Sequence, residues 1–136
     1  MTSVLSAGLG NLDLALLALR LAFGAGSLVH GKNKLGKVHL FAADHHLPIS
    51  LAWVATSVQI LGGIAMILGI GTSIAAAGLT IFGVWATFEL IYRKREPFAA
   101  PGKHTWDTGV MYTAIPLAIL LAGPGAYSLD RLWFGG

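Results

Sequence analysis

Residues 47–88 contain no Asp, Glu, Lys, Arg or His. That run of 42 residues is about twice the ~20 apolar residues that one membrane-spanning helix needs. Gly69, Gly71 and Thr72 stand near its middle, where a chain can reverse tightly. The pattern predicts two transmembrane helices joined by a short hairpin, and the rest of the chain must pack around that pair. Composition agrees. The chain of 136 residues is 55% hydrophobic and only 11% charged, against about 25% charged for soluble domains.

Two more spans flank the hairpin. One covers residues 12–30, opening at Asn11 or Asp13, either of which can cap a helix. The hairpin spans cover residues 49–68 and 73–92, and Pro97 follows the second. A fourth covers residues 106–121, with Thr105 as its expected N-cap and Pro116 inside it. The expected fold is all-α, an integral membrane four-helix bundle forming one transmembrane domain over residues 1–136. Residues 1–10 carry no Lys or Arg, unlike the charged start of a signal peptide, and read as a short leader.

Four spans place two basic loops on one side. That side holds Lys32, Lys34, Lys37, Arg93, Lys94, Arg95 and Lys103, whereas the other holds Arg131. The positive-inside rule makes the lysine-rich loops cytoplasmic and both termini external. The net charge of +3 is therefore a matter of topology and lipid headgroups, and nucleic acid is not an expected partner. Trp53, Tyr92, Trp106 and Trp133 fall at span ends, as membrane-interface anchors do. Small residues at four-residue spacing, such as Ala22 with Gly26, suit close helix packing. The absence of cysteine excludes disulfides, iron–sulfur ligation and thiol redox chemistry within this chain. No phosphate-binding loop or dinucleotide fingerprint is present either.

A few polar residues interrupt the apolar spans, and each is a candidate ligand or quinone-binding residue. Arg20 lies mid-span, where a charge is costly and must face the interior. On a helix, Arg20, Ser27, His30 and Lys34 share one polar stripe. Gln59 is the strongly polar side chain of the second span. Counted from the basic end, it lies nearly as deep as Arg20, whose expected partners are backbone carbonyls and Gln59 or, alternatively, a bound polar ligand. Glu89 is spaced to pair with Arg93 one turn on. Alternatively it faces His30 and Lys34, where a His–Glu pair could relay protons to a quinone. Tyr112 is a further candidate pointing inward. His30 and His104 form the one pair that could ligate a haem. His39, Asp44, His45 and His46 read as surface residues of a loop, and no metal site is expected.

These residues, in this order, resemble the DoxX family of small four-helix membrane proteins. The resemblance rests on Leu19-Arg-Leu-Ala-Phe-Gly, His30-Gly-Lys-Asn-Lys-Leu, Gln59-Ile-Leu-Gly-Gly, Leu68-Gly-Ile-Gly-Thr and Gly123-Pro-Gly-Ala-Tyr-Ser-Leu-Asp. It implies a protein tied to redox metabolism, since related DoxD proteins are subunits of a thiosulfate:quinone oxidoreductase. The family commonly has Glu where this chain has Gln59. That departure removes the obvious charge partner of Arg20 and favours a member that is not catalytic on its own. Two roles follow. The first is a small accessory subunit of a larger respiratory or photosynthetic membrane complex, bound to lipid and to other membrane subunits. The alternative is a quinone-linked oxidoreductase subunit that holds a quinone headgroup, or a lipid, without covalent attachment.

Overall fold

A computed structural model describes residues 12–134. The expected leader and the Asn11 cap lie outside the described residues. Every regular element within them is helical: α1 (Leu12–Lys34), α2 (Val38–Asp44), α3 (Ile49–Leu68), α4 (Thr72–Phe88), α5 (Trp106–Ala122) and α6 (Leu129–Phe134). A π-helical turn, Glu89–Arg93, extends α4. Leu12–Lys34, Ile49–Leu68 and Thr72–Arg93 are each long and apolar enough to cross a membrane. Trp106–Ala122 is a shorter apolar helix. The protein is thus an all-α integral membrane helical bundle.

Packing follows the small residues. Helix α1 lies tightly on α3, and α4 on α5, with looser contact between the two pairs. At the α1–α3 crossing, a Cβ on Gly63 would stand 2.7 Å from the Gly24 carbonyl oxygen and 2.8 Å from the Leu28 nitrogen. Only hydrogen fits there. In lipid such close approach replaces the hydrophobic drive that binds helices in water. The core between the pairs is Phe23, Met66, Ala76, Leu79 and Ile119. Leu61, Ile74, Ile81 and Leu121 point outward, as lipid-facing positions should. Four threonine hydroxyls within the spans are satisfied by their own helices: Thr56, Thr80, Thr87 and Thr113 each donate to the carbonyl four residues earlier.

The α3–α4 hairpin turns within three residues, and Gly69 and Gly71 both adopt left-handed backbone, with φ of 73° and 56°. Glycine takes that conformation without steric cost. The segment after α5 folds back across this turn. Asp130 accepts hydrogen bonds from the backbone N–H groups of Gly71 (2.7 Å) and Thr72 (2.8 Å). Its own N–H donates to the Gly69 carbonyl at 2.7 Å. A carboxylate at the N-terminus of α4 also meets the positive end of the helix dipole. On the other side, Asp13 accepts from the Ala126 N–H at 2.9 Å.

Arg20 completes this end of the bundle. It is 0% exposed, as its cost in lipid demands. Its partner is not Gln59. Nη1 donates to the Met66 carbonyl at 3.0 Å and Nη2 to the Tyr127 carbonyl at 2.5 Å, and the Asp130 carboxylate supplies the opposing charge. Arg20 and Gln59 differ in depth because α1 runs on to Lys34, one turn past its expected end. Its basic end is therefore further from Arg20 than counted, and Arg20 sits beside the hairpin.

The aromatic side chains are distributed as follows. Trp53, Tyr92 and Trp133 are exposed, near the first turn of α3, in the π turn and in α6 respectively. Trp106 opens α5 with its ring against Phe98. Thr105 stands at the N-cap of α5, but its hydroxyl donates to the Asp107 carboxylate and caps no backbone N–H.

Candidate functional site

At the lysine-rich end the two helix pairs part around a cavity of about 330 Å³. Its walls are apolar, formed chiefly by Phe41, Phe82 and Trp85. Its polar groups come from elements far apart in the chain: His30 and Lys34 on α1, Asp44 and His45 at the end of α2, Gln59 on α3, Lys94 after the π turn, His104 before α5, and Thr108 and Tyr112 on α5. The amphipathic stripe on α1 brings His30 and Lys34 inward. Gln59 follows because α3 packs against that stripe.

The Lys34 ammonium donates to Gln59 Oε1 at 2.5 Å. It also lies 4.2 Å from the centre of the Phe41 ring and 4.7 Å from that of Phe82. Aromatic faces attract a cation but do not neutralise it. Among the described residues no carboxylate forms an ion pair with Lys34. Opposite it, the His30 ring meets His104 edge-on at 5.7 Å and Tyr112 at 5.4 Å. Because the His30 and His104 rings pack edge to face, no haem fits between them. No group of three or more His, Cys, Asp or Glu is placed to hold a metal among the described residues.

The mouth of the cavity carries an ionic network. His45 Nδ1 lies 2.9 Å from Glu89 Oε2, which also accepts from Arg93 Nε at 2.6 Å. Arg93 reaches on to the Asp44 carbonyl at 2.6 Å, and Lys94 pairs with the Asp44 carboxylate at 2.6 Å. The π turn gives Glu89 its place: the Lys94 N–H bonds the Glu89 carbonyl five residues back. Such turns recur at functional sites. Burial pushes the His45 imidazole below its ordinary value, and the bond to Glu89 opposes that shift only in part. The hydrogen bond from Lys94 holds the Asp44 carboxyl below the usual carboxylate range.

The structure therefore gathers His30, Gln59 and Tyr112 around one cavity, with Glu89 one contact behind it through His45. Ser27 is buried one turn from His30 but does not line it. Arg20 lies at the opposite end of the bundle. Lys34, expected on the polar stripe of α1, lines the cavity. His45, expected at the surface, has a side chain only 15% exposed. The short helix α2 folds the loop back over the bundle, and its Val38 and Ala42 pack on Ala52. The apolar spacing of Val38, Phe41 and Ala42 was the available signal.

The comparisons with known proteins agree with this architecture. Over 132 residues the chain is 29% identical to a protein of Bacillus subtilis (strain 168) named "Putative oxidoreductase CatD", covering 93% of this chain and 92% of that protein. No solved structure matches. The sequence profile of DoxX matches residues 15–91, more than half of the chain and including His30, Lys34, Gln59 and Glu89, and the protein belongs to the DoxX family.

Proposed function

We propose that this protein is a small membrane subunit of a redox system and that its cavity receives a quinone headgroup. The observation that carries this reading is Lys34, a cation met among the described residues by an amide oxygen and two aromatic faces and by no paired carboxylate, inside a cavity of ligand size. A flat aromatic head with carbonyl oxygens fits such a site. Phe41, Phe82 and Trp85 would flank the ring, Lys34 would donate to one oxygen, and Tyr112 and His104 would donate to a second. A bound quinone would supply two-electron, two-proton redox chemistry. The chain's contribution would be to orient the head and to move protons, with His45 and Glu89 linking the cavity mouth to the basic surface. Electrons would come from a partner subunit, which agrees with a chain lacking cysteine and nucleotide-binding motifs. The oxidoreductase name of the Bacillus relative supports a redox setting. By the positive-inside rule the cavity opens toward the cytoplasm and both termini lie outside.

The test is purification from native membranes in mild detergent, followed by solvent extraction. We expect quinone in stoichiometric amount, lost in Lys34→Met while the bundle remains folded by circular dichroism. Co-purification with a large redox complex and no quinone would overturn the headgroup site and leave the accessory, structural role.

A further inference from the structure

A second depression runs along the outer face of the bundle between α3 and α4. Leu51, Val54 and Val58 of α3 and Gly78 and Ile81 of α4 line it, with a volume of about 230 Å³ and almost no polar surface. Leu51, Val54 and Ile81 are exposed there, on the face a bilayer would cover. Phe82 and Trp85 line this groove and the headgroup cavity alike. The two rings touch at 5.7 Å, and one side of this aromatic wall meets Lys34 and His45. The other side meets the apolar groove. Gly78 leaves the floor open, and a Cβ added there would rest in ordinary contact, 3.5 Å from Val58 Cγ1.

We infer that the groove between α3 and α4 holds the isoprenoid tail of the ligand whose head occupies the cavity, with Phe82 and Trp85 marking the passage between head and tail. This inference rests on the quinone reading above and adds the ligand's orientation and its portal. The aromatic wall of Phe82 and Trp85 that the groove shares with the cavity is what selects this occupant. A tail lying there remains at membrane depth while its head reaches the polar end, which is the geometry a prenylated quinone in a bilayer already has. Tail and bulk lipid are equally apolar, so the groove contributes position and shape rather than hydrophobic drive.

The test uses the full chain in phospholipid nanodiscs and two probes: a tail-less naphthoquinone, and the same head carrying a diazirine in its first prenyl unit. After irradiation, peptides of α3 and α4 containing Leu51 to Val58 and Gly78 to Ile81 should carry the label, and excess unlabelled prenylated quinone should displace it. Val58→Trp and Gly78→Leu should reduce labelling severalfold while the tail-less naphthoquinone is still retained. Label spread around the whole bundle and not displaced would show bulk lipid in the groove and overturn the inference. Label trapped in a co-purifying membrane protein would show a partner helix there and overturn it equally. If the tail-less head is retained but the label lies elsewhere, the groove assignment alone fails. If neither probe is retained by the wild type, the headgroup reading falls and takes the groove with it.

Discussion

The Lys34 ammonium stands 2.5 Å from the Gln59 amide oxygen, joining α1 to α3 at the rim of the cavity. An amide satisfies the donor but leaves the charge. A carboxylate at position 59 would do both. Gln59→Glu should therefore form an ion pair with Lys34 and raise the midpoint of thermal unfolding. It should weaken retention of a quinone head at the same time, because the cation is then already matched. The two readouts should move in opposite directions. Stabilisation together with unchanged retention would remove Lys34 from the site.

Arg20 makes a different prediction, since its partners are backbone carbonyls of Met66 and Tyr127 on separate segments. Arg20→Leu strands both carbonyls and leaves Asp130 without its countercharge. The loss should be about 2–5 kcal/mol by the cost of unsatisfied buried polar groups. Arg20→Lys should recover only part of it, because an ammonium lacks the planar fork that spans two acceptors. Limited proteolysis of Arg20→Leu should cut first between Ala126 and Arg131, where the returning segment is no longer held. Ligand retention at the far end of the bundle should survive.

Asp130 sets a pH dependence. Burial alone would raise its pKa, but the bonds from Thr72 and Gly71 and the charge of Arg20 outweigh it, holding the carboxyl below its ordinary 3.8. A folded-state pKa that is depressed adds stability above the unfolded value, and that stability is lost as pH falls through the folded value. Thermal unfolding scanned downward in pH should thus lose stability starting near pH 3.8. Asp130→Asn should be less stable at neutral pH and should lack this acid-dependent component.

His45 is displaced in the same direction for another reason. Burial holds its imidazole below 6.5, and the bond to Glu89 pulls it partly back. In the folded protein its titration, followed by NMR of ring-labelled histidine, should have a midpoint below 6.5. Glu89→Gln removes the carboxylate that favours the protonated ring and should move that midpoint lower still. An upward movement would mean that Glu89 does not stabilise the protonated ring.

Helical architecture was legible because the bilayer enforces it: a run of 42 residues without a charge has few alternatives to helices. The inward direction of Arg20 was legible for the same reason. What it touches was not. Tyr127 lies 107 positions away in a segment whose path depends on Gly123, Gly125 and the Asp130 bonds, none of which shows in a hydropathy pattern. The cavity was half legible. His30, Gln59 and Tyr112 stood out as polar residues in apolar spans. His45 did not, because a histidine in a polar loop carries no sign of burial until the loop is seen to fold inward as α2.

The contact of Gly63 with Gly24 has a mechanical consequence. Helices whose backbones touch cannot slide or splay without breaking that contact, so α1 and α3 move as one stiff plank, and the tightly packed α4 and α5 form another. The seam between the planks is more loosely packed, and the cavity lined by Lys34 lies along it. A guest of varying bulk can therefore be met by a slight parting of the planks, with no helix bent. At the opposite end the Asp130 and Arg20 bonds tie the segment after α5 to the α3–α4 turn and to α1.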